Sequence, residues 1–137
     1  MSKRLDENIG AVGYDGLIVS NDPVADVVTV ELQTTISGGT VENPTSTPVG
    51  VVKRGTVITG TPGGKDFIAL AAAASGSKTL YVLADDVDTA VDAIGTAYRT
   101  GHFARNKLIV AAGYTLTAAD EEALRKSGIL LSDALDY

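Results

Sequence analysis

The sequence contains no cysteine and no tryptophan, and it has only one histidine and one methionine among its 137 residues. Without cysteine there is no disulfide framework, no thiolate metal site and no cysteine nucleophile. The single histidine removes most zinc chemistry as well, because zinc sites draw largely on histidine and cysteine ligands. Aromatic residues are also few, with five tyrosines and two phenylalanines. Because sugar-binding surfaces depend on exposed aromatic rings, this composition argues against carbohydrate recognition.

Positive charge is scarce too. Eleven lysines and arginines stand against 17 aspartates and glutamates, so the formal net charge is −6. Sequence-independent binding to nucleic acid needs the opposite sign of charge, and DNA and RNA are therefore not expected as partners. Long apolar runs are missing: the uncharged run at residues 67–77 is far shorter than the ~20 residues of a membrane-spanning helix. We expect no membrane partner, and the first ten residues lack the apolar core of a secretory signal.

The sequence is rich in residues that favour β-strands and turns. Its length and its 45% hydrophobic content suit one folded domain. Valine, isoleucine and threonine occur 15, 8 and 15 times, and these β-branched side chains favour pleated strands over helices. Fifteen glycines and four prolines supply turns. The fold class predicted from composition is therefore mainly β, in the form of a small barrel or sandwich.

The periodicity predicts several strands and one turn-rich connection. Val28, Val30 and Leu32 alternate with polar residues and predict the clearest strand, within residues 24–34. Residues 37–48, SGGTVENPTSTP, are predicted to be a loop or insertion, because the Asn-Pro and Thr-Pro pairs resist helix formation. Residues 91–100 fit either a helical face or a strand face. We favour a strand at residues 96–103.

One short α-helix is predicted at residues 117–127. Thr117 can cap the free amides at its start, and Gly128 can supply the left-handed residue that ends it. Acidic residues near the start and basic residues near the end complement the helix dipole. Ala119, Ala123 and Leu124 are the expected buried stripe. The helix should therefore lie on the surface of a sheet.

Three motifs could in principle carry chemistry. The sequence GTPGGKD at residues 60–66 lacks the glycine and hydroxyl positions of a phosphate-binding loop, so a hairpin turn is predicted there. Asp85, Asp86, Asp88 and Asp92 form the densest acidic group, and a solvated loop fits them better than a weak calcium or magnesium site. His102 has no identifiable nucleophile and carboxylate to work with. We therefore predict no catalytic residues, no metal and no cofactor.

The charges are also segregated along the chain. Acidic Asp85, Asp86 and Asp88 lie in a stretch without bases, whereas the following stretch without acids contains Arg99, Arg105 and Lys107. Such segregation could fix the register of a contact between subunits, although each exposed pair contributes only ~0–1 kcal/mol. These six residues are the candidate subunit-contact charges. The alternative is that both groups are ordinary solvated faces.

Longer strings in the second half resemble a known family. YVLADDVDT at residues 81–89, AYRTGHFARNKLIV at 97–110 and LTAADEEALRKSGILL at 116–131 resemble, in order and spacing, the lambda-type head decoration proteins of tailed bacteriophages. Upstream, YDGLIVSNDP at 14–23 and VKRGTVI at 52–58 are similar to further segments of that family. The resemblance covers residues 50–131 best. The first dozen residues and residues 24–48 depart from it.

The resemblance implies a fold and a role. The fold would be a small β-barrel or β-tulip-like domain at residues 24–137, preceded by a flexible N-terminal arm at residues 1–23. The protein would be a homotrimer that binds the major capsid protein on the outside of an expanded phage head, at threefold or quasi-threefold axes. There it would stabilise the shell against the pressure of internal DNA and catalyse nothing. It would be assembled in the host cytoplasm and located in the virion.

Within the arm, four apolar or aromatic residues are the candidate capsid-binding contacts: Tyr14, Leu17, Ile18 and Val19. An extended segment could press such side chains into the edge of a neighbouring sheet, with backbone hydrogen bonds adding affinity. The alternative function from another class is a virion-surface or cell-surface binding module for carbohydrate or a host protein.

Overall fold

A computed structural model describes residues 16–20, 23–74 and 78–132. In these ranges the chain forms eleven strands and one α-helix: β1 (Ile18–Ser20), β2 (Asp26–Glu31), β3 (Thr35–Gly39), β4 (Pro44–Pro48), β5 (Val51–Val52), β6 (Val57–Gly60), β7 (Ile68–Ala69), β8 (Thr79–Leu83), β9 (Val87–Asp88), β10 (Ile94–Ala104), α1 (Ala118–Ser127) and β11 (Ile129–Ser132). The predicted class, mainly β with one short α-helix, is confirmed. The predicted strands at residues 24–34 and 96–103 correspond to β2 and β10.

The long strand β10 organises the main sheet. Its first half pairs antiparallel with β2, from Ile94 opposite Glu31 to Tyr98 opposite Val27, and it also pairs with β8. Its second half pairs antiparallel with β1 and parallel with β11. The path through the sheet is β1-β10-β8-β6-β7, with β2 and β11 branching from β10. Gly95 of β10 allows Val87 of β9 to approach closely, because a Cβ at Gly95 would lie 2.4 Å from Val87 Cγ2.

The interior contains two groups of buried apolar side chains. The first lies between the sheet and α1 and consists of Leu17, Val57, Leu70, Leu80, Val82, Phe103, Leu124 and Ile129. The second lies toward β2 and consists of Val30, Leu32, Val52, Ile58, Phe67, Leu83, Val87 and Ala97. The alternation predicted for β2 is confirmed, since Val30 and Leu32 are buried and Thr29 is exposed.

The described strands form open sheets. An isolated bridge joins Leu32 to Phe67, with the Gln33 amide donating to the Phe67 carbonyl at 2.9 Å and the Phe67 amide donating to the Glu31 carbonyl at 3.4 Å. This bridge brings the β2 end of the sheet against the residue before β7. It is a single contact and not a ladder, so no closed barrel is seen among the described residues.

Residues 37–48, predicted as a loop, instead belong mostly to a hairpin. β3 and β4 pair antiparallel from Thr35 opposite Pro48 to Gly39 opposite Pro44. The hairpin forms a separate two-stranded sheet, and every residue of β4 is exposed. The prediction failed because prolines disrupt a strand only where their missing N–H is needed for the ladder.

The helix prediction is confirmed in detail. The Thr117 hydroxyl accepts from the Asp120 amide at 3.2 Å, the Asp120 carboxylate accepts from the Thr117 amide, and Gly128 ends the helix at φ 102°. The predicted buried stripe is only partly right: Leu124 is buried, Ala123 is half-buried and Ala119 is exposed. Asp120 faces inward instead, because it bonds to groups on other segments.

Candidate interaction surface

Residues 17–20 are attached to the main sheet and to its core. Leu17 is only 2% exposed and belongs to the first core group, and Ile18 packs against that group. β1 pairs with β10, with Ile18 opposite Phe103 and Ser20 opposite His102. The Ala104 amide also donates to the Leu17 carbonyl at 2.8 Å. Of the four predicted arm contacts, Tyr14 lies outside the described residues.

This attachment concerns the part of the predicted arm that the structure describes. Leu17 cannot contact a partner without leaving the core, while Ile18 and Val19 are half-buried in a strand of the main sheet. Residues 17–20 thus belong to the folded body in this structure, whereas the rest of the arm predicted at residues 1–23 falls largely outside the described ranges. Gly16, at φ 74°, lies beside Lys107: a Cβ at this glycine would be 3.7 Å from Lys107 Cε.

The predicted acidic residues lie together after β8. Asp86 accepts from the Arg54 amide at 2.7 Å and lies 3.8 Å from Lys53 Nζ. Asp88 accepts from the Ala90 amide and Asp92 from the Ile94 amide. With Asp85, which is exposed, they border a shallow surface cavity of about 360 Å³. Val91 and Ile94, which are 83% and 54% exposed, also line it, so the surface is acidic and partly apolar.

The predicted basic residues do not form one patch with these acids. Arg99 on β10 pairs with Asp26 on β2, and this hydrogen bond holds the pKa of Asp26 below its usual value. Arg105 lies in a short 3₁₀ turn and donates to Glu121 on α1 at 3.0 Å. Lys107, in the same turn, is exposed. Arg99 and Arg105 therefore have partners within the chain, which weakens the case for them as subunit contacts.

The glycine-rich turn at residues 60–66 is closed on itself, as predicted for a hairpin turn. Asp66 accepts from the Thr61 amide and from the Thr61 hydroxyl, both at 3.0 Å, and from Lys78 Nζ at 3.2 Å. The bond from the Thr61 amide is the main reason that the pKa of Asp66 is lowered. The Gly64 amide donates to the Thr61 carbonyl at 2.8 Å. These internal bonds occupy donors that a phosphate would require.

His102 lies in a strand of the main sheet. His102 is half-buried in β10, opposite Leu130 of β11. In residues 16–20, 23–74 and 78–132, no cluster of three or more histidine or acidic side chains could hold a metal ion.

Across that same part of the chain, no helix is long and apolar enough to span a membrane.

Sequence reasoning missed two surface features. One is the β3–β4 hairpin, which carries the exposed Ile36 and the fully exposed Val41. The other is a groove of about 360 Å³ between β2 and the turn after β6, with the stacked rings of Phe67 and Tyr81 in its wall. The positions of the prolines could have revealed the hairpin. The groove depends on contacts between distant segments and has no local signal.

Comparison of the sequence with models of protein families gives no match, and comparison with curated proteins gives no similar one. Inferences about function therefore rest on the sequence and on the geometry described above.

Proposed function

We propose that this chain is a capsid decoration protein. It binds the outer surface of an expanded phage head as a homotrimer at threefold and quasi-threefold axes, stabilises the head against internal DNA pressure, and has no catalytic activity. The observation that carries the proposal is the spatial arrangement of the three segments that resemble the decoration family. They lie next to one another in the fold.

These segments form one continuous body. Residues 81–89 include most of β8, residues 97–110 include most of β10, and residues 116–131 contain α1 and most of β11. β8 pairs with β10 through Leu83 opposite Ala97, and β10 pairs with β11 through Gly101 opposite Ile129. Leu124 of α1 packs into the same core. A resemblance carried by neighbouring, interlocked elements supports a shared architecture better than scattered similarity does.

The attachment of residues 17–20 supports the proposed way of gripping a shell. Because Leu17 lies in the core and β1 pairs with β10, a force that pulls on the segment before Gly16 is transmitted to the main sheet. In a threefold trimer, binding of one such segment raises the effective concentration of the other two, which can add ~10²–10⁴ in avidity. Since the ligand is the assembled lattice, binding stabilises the lattice by linkage.

The barrel-like detail of the fold belongs to the same proposal. The bridge between Leu32 and Phe67 brings the two ends of the curved sheet into contact, which supports a barrel that is nearly but not continuously closed. The acidic surface at Asp85, Asp86 and Asp88 is proposed to face Lys107 of the next copy, since Lys107 is exposed and Arg105 already pairs with Glu121 in its own chain. Each exposed pair would add only ~0–1 kcal/mol.

Co-sedimentation with expanded phage heads that lack decoration tests the proposal. The full chain should pellet with the heads and raise the temperature at which they break open. A chain beginning at Gly16 should keep its melting temperature, because Leu17 and β1 are retained, but it should no longer pellet with the heads. Binding by the shortened chain would contradict the gripping mechanism. Failure of the full chain to bind or to protect the heads would favour the surface-binding module instead.

A further inference from the structure

The hydrogen bonds at both ends of the β3–β4 hairpin define which backbone groups point outward. At the base, the Val49 amide donates to the Thr34 carbonyl at 2.9 Å, and at the turn the Thr40 amide donates to the Asn43 carbonyl at 3.2 Å. In an antiparallel pair, bonded positions alternate with non-bonded positions. In β3, residues 36 and 38 therefore bond inward to β4. The N–H and C=O groups of residues 35, 37 and 39 point away from it.

The two outer edges of the hairpin are chemically different. On β4 the outward positions, opposite Gly39, Ser37 and Thr35 in the register, are Pro44, Ser46 and Pro48. Proline has no N–H, so this edge offers one amide donor and resists strand addition. On β3 the outward residues Thr35, Ser37 and Gly39 all keep their amides. Neither strand pairs with a third strand in the part of the chain that the structure describes.

We propose that two copies of this chain associate by antiparallel pairing of β3 with β3 about a twofold axis at Ser37. In this register Ser37 lies opposite Ser37 of the second copy, and Thr35 lies opposite Gly39. Every outward N–H and C=O of the three residues then meets a partner, giving about six hydrogen bonds. The product is a four-stranded sheet, β4-β3-β3-β4, with a proline-bearing strand at each edge. Pairing therefore stops at two copies.

A second copy fits this edge better than a foreign strand does. A twofold contact needs the same surface on both partners, which identical chains supply without further design. Glu42, in the turn, is the only charged residue between Thr35 and Pro48, so no like charges meet at the contact. Gly38 and Gly39 provide no side chains with which to select a foreign sequence. Two-stranded hairpins are only marginally stable in water, and a four-stranded sheet removes this weakness.

This contact is independent of the proposed function. A twofold contact cannot be the threefold contact within a trimer, so in a decorated head it would link trimers on neighbouring axes. Removal of the β3 edge would leave binding of single trimers to the shell intact. Loss of shell binding, in turn, would leave the pairing of free copies intact.

A cysteine crosslink tests the register directly, because the chain has no cysteine of its own. Opposed residues in a hydrogen-bonded pair have Cα atoms ~5.5 Å apart, which lies within the range of disulfides. Under mild oxidation, Ser37→Cys should run as a covalent dimer, whereas the matched Ser46→Cys, on the blocked edge, should stay a single chain. Equal crosslinking of both variants, or none at position 37, would overturn the proposal. Absence of crosslinking at position 37 is also the result expected if residues 1–15 cover the outer edge of β3.

Proline substitution tests the edge from the opposite direction. Ser37 and Ser46 are opposite each other, and both amides point outward, so proline at either position removes no bond inside the hairpin. In light scattering at high concentration, Ser37→Pro should have a smaller mass than the wild type, because the variant loses the β3 contact that links copies, whether these are single chains or trimers. Ser46→Pro should match the wild type. Equal masses for all three proteins would rule out the β3 contact.

Discussion

Asp120 shows how single residues set the local chemistry of this fold. The residue is only 1% exposed, and its carboxylate accepts hydrogen bonds from the Tyr114 hydroxyl, from the Ala74 amide at 2.9 Å and from the Thr117 amide at 3.1 Å. Burial alone would raise the pKa of Asp120, but these bonds outweigh it and leave the pKa below its usual value. The carboxylate thereby joins the loop before β8 to the start of α1.

Replacement of Asp120 should have a pH-dependent cost. Because the folded-state pKa is lowered, Asp120 stabilises the fold above the unfolded-state pKa of ~3.9, and this contribution is lost as the pH falls through the folded-state value. Asp120→Asn should lower the free energy of unfolding at pH 7 by ~1–3 kcal/mol, with a smaller loss at pH 3. Urea denaturation at the two pH values measures it. An equal loss at both, or a similar loss in Asp85→Asn, would contradict this assignment.

Leu17 provides a second test at the residue scale. Since its side chain is buried beside Val57 and Phe103, Leu17→Ala should lower the free energy of unfolding by ~2–5 kcal/mol. Val24→Ala, at a side chain that is 69% exposed, should change it by less than ~0.5 kcal/mol. Denaturant melts of both variants supply the comparison. A stable Leu17→Ala that fails to bind heads would instead support Leu17 as a direct capsid contact.

At the scale of elements, α1 depends on its two ends more than on its apolar stripe. Leu124 is its buried apolar residue, so the capping bonds of Thr117 and Asp120 matter to its position. Thr117→Ala should lower the free energy of unfolding by ~0.5–2 kcal/mol. Thr115→Ala, at an exposed position two residues earlier, is the matched control. Thermal unfolding followed by circular dichroism measures both, and equal effects would count against the cap.

The helix α1 also shows which structural features can be predicted from the sequence. Thr117 and Gly128 marked the ends of α1 correctly because capping is local chemistry, readable within a few residues. The inward position of Asp120 was not predicted, since its partner Ala74 lies 46 residues away. The hairpin was missed for a different reason. The prolines in residues 37–48 favoured a loop prediction, although the effect of a proline on a strand depends on which way its backbone nitrogen points in the register.

The candidate surface shows the same limit. The apolar residues Leu17, Ile18 and Val19 were expected in an extended segment, and Ile18–Ser20 do form a strand, but the sequence did not show which sheet this segment joins. The structure places that segment against β10 of its own chain. Likewise, the sequence showed that Arg99 and Asp85 differ in charge. It did not show that Arg99 pairs with Asp26, 73 residues away.

At the scale of the whole molecule, the account requires threefold association. For the Ser37→Pro variant, light scattering coupled to size exclusion should report three chains at high concentration, about 42 kDa from the 14.0 kDa protomer. The Ser37→Pro variant suits this measurement because it removes the proposed β3 contact between trimers. A mass of one chain at every concentration would show that trimers do not form in solution.

The central claim is that the chain decorates assembled heads, and an electron-microscopy reconstruction of expanded phage heads mixed with the full chain tests it most directly. The account predicts added density on the outer surface at the threefold and quasi-threefold axes. Each feature should be large enough for three copies of the β-rich body. Heads that remain bare after mixing, or that carry density at other positions only, would contradict the account.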